Sequence, residues 1–393
     1  MSGFTFSVLH TNSDSQARLG TITTPHGVIQ TPAFVPVGTQ ASVKSLTPDE
    51  LDTLGVQLFF VNTYHTYLRP GLEVIKKFGG LHKFMDVSGP IITDSGGFQV
   101  FSLARPKFTS TDRSEELPSL VKITEDGVKF QSHWDGTEHL FTPESSMQHQ
   151  WDLGSDIHIA FDDCTSYPVT KKTAEDSMEH THRWAVRSIT EHKRLASITS
   201  GPYQALYGVI QGSVYEDLRK RSAQFICSLD TDGIAIGGVS VGETKIEMKK
   251  VLEWVTPLLP QHKPRHLLGV GEIDDIFPLI AHGMDTFDCV QPTRLARMGR
   301  VYAGLYADHV QIDITKKDYK LDTSPIDDTC TCFTCKHFSR AYIYHLFHVR
   351  ELLAYRLTTI HNIHFVNTLV SEIRLAIADN RFLDLASKWG YNI

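Results

Sequence analysis

The chain has 393 residues, 41% hydrophobic and 21% charged, proportions of a globular protein long enough for one large core with an appendage. Its formal net charge of −7 argues against a protein that coats nucleic acid through a general basic surface, while leaving room for an enzyme that reads RNA locally with a few arginines. No apolar run reaches signal-peptide or membrane-span length, so a soluble, cytoplasmic protein without membrane contact is expected, and six cysteines without a secretion signal point to metal binding before disulfides.

From about residue 55 to 300, short apolar runs alternate with amphipathic stretches, the pattern of parallel strands separated by helices. In chain order the predicted strands are VQLFFVNTY, PIITDSGGF, DIHIAFDDC, ALYGVIQG, GIAIGGVS, HLLGVG and TFDCVQP, with helices over residues 216–229 and 245–259. Each run finishes in residues that a core would not select: Asn62, Asp94, Asp162 with Asp163, Gln211, Gly238, Gly269 with Gly271, and Asp288. In a barrel of parallel strands all such ends meet on one face, whereas an open doubly wound sheet gathers them only at its switch point. The expected architecture is therefore α/β, a TIM-type barrel over residues 1–317. Beyond it, residues 318–393 carry the cluster CTCFTC, a histidine-rich helical stretch and a last helix around residues 366–378, and read as a zinc-binding module packed on the barrel.

Asp94 and Asp288 are isolated carboxylates, each following an apolar strand. Two carboxylates at one glycosidic bond suit displacement with retention, one attacking the anomeric carbon while the other moves a proton; the plainer reading is two helix caps. After Asp94, the turn Ser95, Gly96 and Gly97 lacks bulky Cβ atoms and would let a flat ligand approach the backbone. Asp162 and Gln211 offer a carboxylate and an amide for the edge of a purine, and Gly237 with Gly238 could add backbone groups or be a tight turn only. The GVG at residues 269–271 lacks the rest of a dinucleotide fingerprint, so a nicotinamide cofactor is rejected. Cys330, Cys332 and Cys335 form a compact thiolate clamp that needs a fourth ligand, with His337, His345, His348, His361 and His364 all available. A Cys₃His set is closed, which predicts one structural Zn²⁺ per chain. Arg294, Arg297 and Arg300 stand three apart, able to line one helical face and clamp phosphates or simply to be a solvated surface.

Jointly, NTYHTYLRPG, ITDSGGFQVFSL, EDGVKFQSHWDG, LGSDIHIAFDDC, GVIQGS, GIAIGGVSVGE, LLGVGEIDDI, GMDTFDCVQPTRLARMG, CTCFTC and SRAYIYHLF resemble the tRNA-guanine transglycosylase family, in its bacterial type, over most of the chain. The resemblance implies a homodimeric glycosyltransferase of queuosine biosynthesis. Such enzymes exchange the wobble guanine of GUN anticodons, in tRNAs for aspartate, asparagine, histidine and tyrosine, for a 7-deazaguanine through a covalent Asp–RNA intermediate. It implies Asp288 as nucleophile and Asp94 as the group handling the proton of departing and arriving bases. It implies a base pocket of Ser95, Gly96, Gly97, Phe98, Asp162, Cys164, Gln211, Gly237, Gly238 and Val239, with Phe98 stacking on the purine. RNA contacts are implied at Gly269, Val270, Gly271, Glu272, Ile273, Asp274 and Asp275, and at Thr293, Arg294, Leu295, Ala296 and Arg297. Among the histidines, His361 is the one that matches the zinc ligand.

Three departures stand out: Thr66 where leucine is usual, Met298 where asparagine is common, and a longer segment over residues 104–120. Family members that insert queuine resemble one another in having glycine where this chain has Val241, and Cys164 matches the bacterial pattern. A valine there fills the pocket at a cost of about 1–3 kcal/mol for a larger base, so the aminomethyl-deazaguanine precursor is expected as substrate, with queuine the alternative. A retaining glycosidase would leave the zinc module unexplained. A non-catalytic zinc-dependent RNA-binding protein would leave Asp94, Asp162 and Asp288 without a purpose.

Overall fold

In the computed structural model, which describes residues 3–99 and 121–393, eight parallel strands close into a barrel. Their order around the ring is Ile157–Ile159, Ala205–Ile210, Gly233–Ile236, Arg265–Leu267, Thr286–Cys289, Ala33–Gly38, Phe59–Val61 and Ile91–Thr93. Every residue of these strands is buried, which is why they read as continuous apolar runs and not as alternating ones. The expected TIM-type barrel is therefore present.

Seven of the eight strands coincide with the predicted runs, and the eighth does not. Ala33–Gly38 contains Pro36, which has no N–H to give a ladder and so weakens any strand reading of AFVPVG. It nevertheless pairs in parallel with Thr286–Cys289, Pro36 opposite Cys289 and Val35 opposite Asp288. The predicted helix over 216–229 is Glu216–Ser228. The one over 245–259 starts at Lys245 behind a Thr244/Glu247 capping box but stops at Val255, because Pro257 tightens the next turn into a 3₁₀ segment, Thr256–Leu258. The last long helix runs from Leu352 to Ala378, much further than residues 366–378, and Phe382–Lys388 follows it. Buried residues lie all round the longer helix, so no amphipathic period marks its start. Residues 104–120, the segment expected to lengthen the chain, lie outside the described residues.

Contacts group the chain into two compact units. The first comprises Met1–Phe4, Val61–Asp86 and Ile91–Lys263; the second comprises Thr5–Phe60, Val87–Pro90 and Pro264–Ile393. The boundary expected at residue 317 coincides with no edge of these units. The first unit holds an inserted antiparallel meander, Val121–Ile123, Val128–Gln131 and Glu138–Phe141, whose Val128, Phe130 and Phe141 bury against Tyr64, Phe161 and Trp184. The second holds the N-terminal meander Thr5–Thr11, Arg18–Thr24 and Gly27–Thr31, and the Leu352–Ala378 helix packs on the Ala33–Gly38 strand.

Arg18 ties that meander to the residue before the Thr286–Cys289 strand. Its guanidinium, 1% exposed, donates from Nε to Asp285 Oδ1 at 3.0 Å and from NH2 to Oδ2 at 2.5 Å. Removing one partner strands a buried charge, so Arg18→Met is expected to lower the unfolding free energy by about 3–5 kcal/mol. Urea unfolding checks this, and an unchanged midpoint would contradict it.

Candidate active site and metal centre

Asp94 stands at the C-terminal end of the Ile91–Thr93 strand and is 8% exposed. Its Oδ1 accepts from the backbone amides of Thr63 at 2.8 Å and Gly96 at 3.1 Å; its Oδ2 accepts from Asn62 Nδ2 at 2.5 Å and Gln99 Nε2 at 2.7 Å. Burial pushes the carboxyl up to about 6, overcoming the four donors, each of which favours the anion. A carboxyl poised there can take or give a proton near neutral pH. Asn62 is legible in the sequence as a polar strand end, but its role as a donor depends on a partner 32 residues away.

The glycines after Asp94 have a packing reason. Gly96 has φ +80°, and a Cβ there would sit 2.7 Å from the Phe141 ring. One on Gly97 would sit 3.0 Å from the Asp162 carbonyl oxygen. Phe98 is 43% exposed, an aromatic face left open to solvent in this unit.

Asp162, Gln211, Gly237 and Gly238 come together. Gln211 Nε2 donates to Asp162 Oδ2 at 2.7 Å and Ser95 Oγ to Oδ1 at 3.3 Å, while burial raises the Asp162 carboxyl to about 6. Any Cβ on Gly237 or Gly238 would strike the Gln211 amide, at 2.6 and 2.4 Å. Asp163 turns elsewhere, its Oδ2 lying 3.3 Å from His180 Nδ1, so the two adjacent carboxylates are told apart by their partners. Cys164 is buried, which pushes its thiol up, and with Asp163 and His180 it lines a cleft of 820 Å³. Val239 is 3% exposed.

Beneath this turn lies a residue that the sequence did not single out. Arg219 is fully buried on the Glu216–Ser228 helix and donates to four backbone carbonyls, those of Ser213 (2.6 Å), Ile210 (3.0 Å), Gly237 (2.8 Å) and Gly238 (2.8 Å). An arginine on an amphipathic helix ordinarily reads as surface. Nothing local in EDLRKRSA distinguishes Arg219 from its exposed neighbour Lys220.

In the second unit, Asp288 lies within the Thr286–Cys289 strand, 8% exposed. Its Oδ1 accepts from the Gly269 amide at 2.8 Å, which gives the GVG turn a purpose unrelated to dinucleotides. The helix Ile273–Ala281 follows; Val270, Gly271, Ile273 and Asp275 are buried, Gly269 and Asp274 exposed and Glu272 between. The three arginines do not share one helical face. Arg294 and Arg297 belong to the helix Gln291–Arg297, which Gly299 ends with φ +76°, and Arg300 opens the strand Arg300–Ala303. Arg294 is exposed and Arg297 bonds back to the Thr293 carbonyl at 2.8 Å; Thr293, Leu295 and Ala296 are buried.

Cys330, Cys332, Cys335 and His361 form a cluster able to hold a metal ion, their ligand atoms all within 4.8 Å of one another. His361 Nδ1 lies 3.6, 3.6 and 3.3 Å from the three sulfurs. Tetrahedral coordination with zinc's bond lengths puts sulfur and nitrogen about 3.6 Å apart, so the cluster fits that group. Of the five candidate histidines, His361 converges on all three thiols, whereas His364 approaches Cys330 alone. His361 Nε2 donates to the Tyr302 carbonyl at 2.6 Å, fixing the tautomer that frees Nδ1 for a metal. Two neighbours of His361 went unnoticed in the sequence: Asn362 bonds the Pro292 and Arg300 carbonyls and the Tyr302 amide, and Thr358 bonds the Ala296 carbonyl.

Comparison with known proteins covers the whole of this arrangement. The family model described as "Queuine tRNA-ribosyltransferase" matches residues 13–392. Curated relatives of that name include one from Desulforudis audaxviator, 48% identical over 388 residues and covering 98% of each chain. Another, from Thermoanaerobacter pseudethanolicus, is 47% identical over 395 residues, covering 100% of this chain and 99% of its own. A third, from Nitrosomonas eutropha, is 48% identical over 376 residues, covering 96% and 97%. A family match of this extent, on a barrel with strand-end carboxylates and a Cys₃His cluster, establishes that the chain belongs to the queuine tRNA-ribosyltransferase family.

Proposed function

We propose that this chain exchanges the wobble guanine of GUN-anticodon tRNA for a 7-deazaguanine, with Asp288 as nucleophile and Asp94 as proton carrier. The observation that carries the reading is the contrast between two buried strand-end carboxylates. Asp94 has both oxygens filled by donors and a carboxyl pushed up to about 6 by burial, whereas among the described residues Asp288 has donors on one oxygen only. Asp288 Oδ2 forms a bond to ribose C1′ as the glycosidic bond breaks; the bonding pair leaves with guanine, which takes a proton from Asp94. In the return step the incoming base gives its ring proton to Asp94 and attacks C1′, expelling the Asp288 carboxylate. Asp162, Gln211 and the backbone at Gly238 are suited to the purine's polar edge, and Phe98 to its face. Arg294 and Arg297 would meet phosphates.

The Cys₃His cluster has the donor set of a closed structural zinc site, one ion per chain, which would cross-link the module without entering the reaction. We further propose a homodimer in solution. No helix among the described residues is long and apolar enough to cross a membrane.

If Asp94 supplies the proton, single-turnover adduct formation should fall as pH rises through about 6, the value to which burial brings this carboxyl. Asp162 titrates in the same range, so Asp94→Asn separates the two: its limb should vanish, leaving a rate about 10²–10⁴-fold lower. A wild-type profile flat from pH 5 to 8 would contradict the assignment.

The function itself is tested by release of labelled guanine from tRNA on addition of the aminomethyl-deazaguanine or of queuine. Release is expected with the precursor, and Val241 should disfavour queuine by about one to two orders of magnitude. No release with either base would sink the reading; equal release would sink only the argument from Val241.

A further inference from the structure

The Asp288 carboxylate is held by one side. Its Oδ1 takes two partners, the Gly269 amide at 2.8 Å and the His266 ring Nε2 at 3.2 Å, while its Oδ2 has no hydrogen bond among the described residues. His266 is fully buried in the Arg265–Leu267 strand, and its ring stacks on Phe60 with centroids 6.0 Å apart. Its other nitrogen, Nδ1, lies 2.9 Å from Thr286 Oγ1, on the neighbouring strand where the two residues are register partners. A carboxylate only accepts, so the ring nitrogen facing it, Nε2, is the one that carries a proton, and the Thr286 hydroxyl meets the other.

We infer that His266, its ring held by Thr286, is a positioning residue that pins Oδ1 of Asp288 and leaves Oδ2 as the attacking atom with no donor to shed. The inference rests on the reading of Asp288 as nucleophile. Two donors on one oxygen stop the carboxylate from rotating, so the attacking atom is held in place before substrate arrives. A buried histidine that only completes the core would affect folding and nothing else.

The test is single-turnover adduct formation by the full-length enzyme with GUN-anticodon tRNA. His266→Phe keeps a ring against Phe60 but loses the donor, whereas His266→Gln retains an N–H at comparable reach. Losing a hydrogen bond to a charged group corresponds to about a 10–100-fold slowing, expected for His266→Phe with the KM for tRNA within about 2-fold. His266→Gln should recover most of that rate. Thr286→Val should slow the step less, and adding it to His266→Phe should cost nothing more, since both act through one chain of contacts. Wild-type rates in His266→Phe, equal slowing in both His266 variants at unchanged Tm, or additive losses in the double variant would each overturn the inference. If His266→Phe does not fold, His266→Gln at the wild-type rate together with a slowed Thr286→Val supports it, and an unslowed Thr286→Val overturns it. Asp288→Asn, run in parallel, separates the two readings. An adduct that persists there defeats the nucleophile assignment itself, whereas its loss there beside an unslowed His266→Phe defeats only the positioning role.

Discussion

Asp288→Asn is expected to abolish the denaturation-resistant protein–RNA adduct and to lower base exchange by about four orders of magnitude, the scale on which enzymes lose a nucleophile. The substitution keeps the shape of the side chain, and its carbonyl oxygen can still accept from the Gly269 amide, so the local fold has no reason to change. It removes the anionic oxygen that would bond C1′. Binding of tRNA, which depends on contacts made elsewhere, should stay within a few-fold. Denaturing electrophoresis with end-labelled tRNA, beside a filter-binding titration, reads both quantities, and a surviving adduct would remove Asp288 from the mechanism.

Cys332→Ser should release the metal and unfold the C-terminal module. Cys332 is 2% exposed, contributes one of the three sulfurs of the cluster, and accepts from the Cys335 amide at 3.3 Å to cap the short helix Phe333–His337. Structural zinc in small modules binds with about 10–16 kcal/mol, and that binding energy is folding energy. The apparent stability of the second unit should therefore drop by several kcal/mol, of the order seen when any buried metal site is lost. Metal analysis with thermal unfolding measures the pair of effects, and a variant retaining one zinc per chain at unchanged Tm would contradict the site.

The barrel was legible because parallel strands buried on both faces leave an unbroken apolar run, and because the polar residues closing those runs mark one end of each strand. Ala33–Gly38 escaped because Pro36 argues locally against a strand while the pairing with Thr286–Cys289 decides otherwise. The acidic and amide candidates were legible for a related reason: Asp94, Asp162, Gln211 and Asp288 are costly where they stand. Their supports were not. Arg219, His266 and Asn362 look like surface or core residues in sequence, and acquire meaning only from carbonyls and carboxylates that the fold brings to them. The histidine of the Cys₃His cluster lay between these cases, since spacing left five candidates and only the fold shows that His361 stands beside the three cysteines.

One feature of the Leu352–Ala378 helix bears on how metal depletion would progress. Within five residues, Thr358, His361 and Asn362 hold the backbone at Pro292, Ala296, Arg300 and Tyr302, and the middle one also belongs to the Cys₃His cluster. An ion held by that cluster would fasten the same stretch of chain that carries Arg294 and Arg297, which begins four residues after Asp288. Under excess chelator, activity should decay with a single rate that does not depend on chelator concentration, because escape of the ion from a closed four-ligand cage sets the pace. If Arg294 and Arg297 hold the RNA as proposed, activity would then run down like a timer wound by the bound metal.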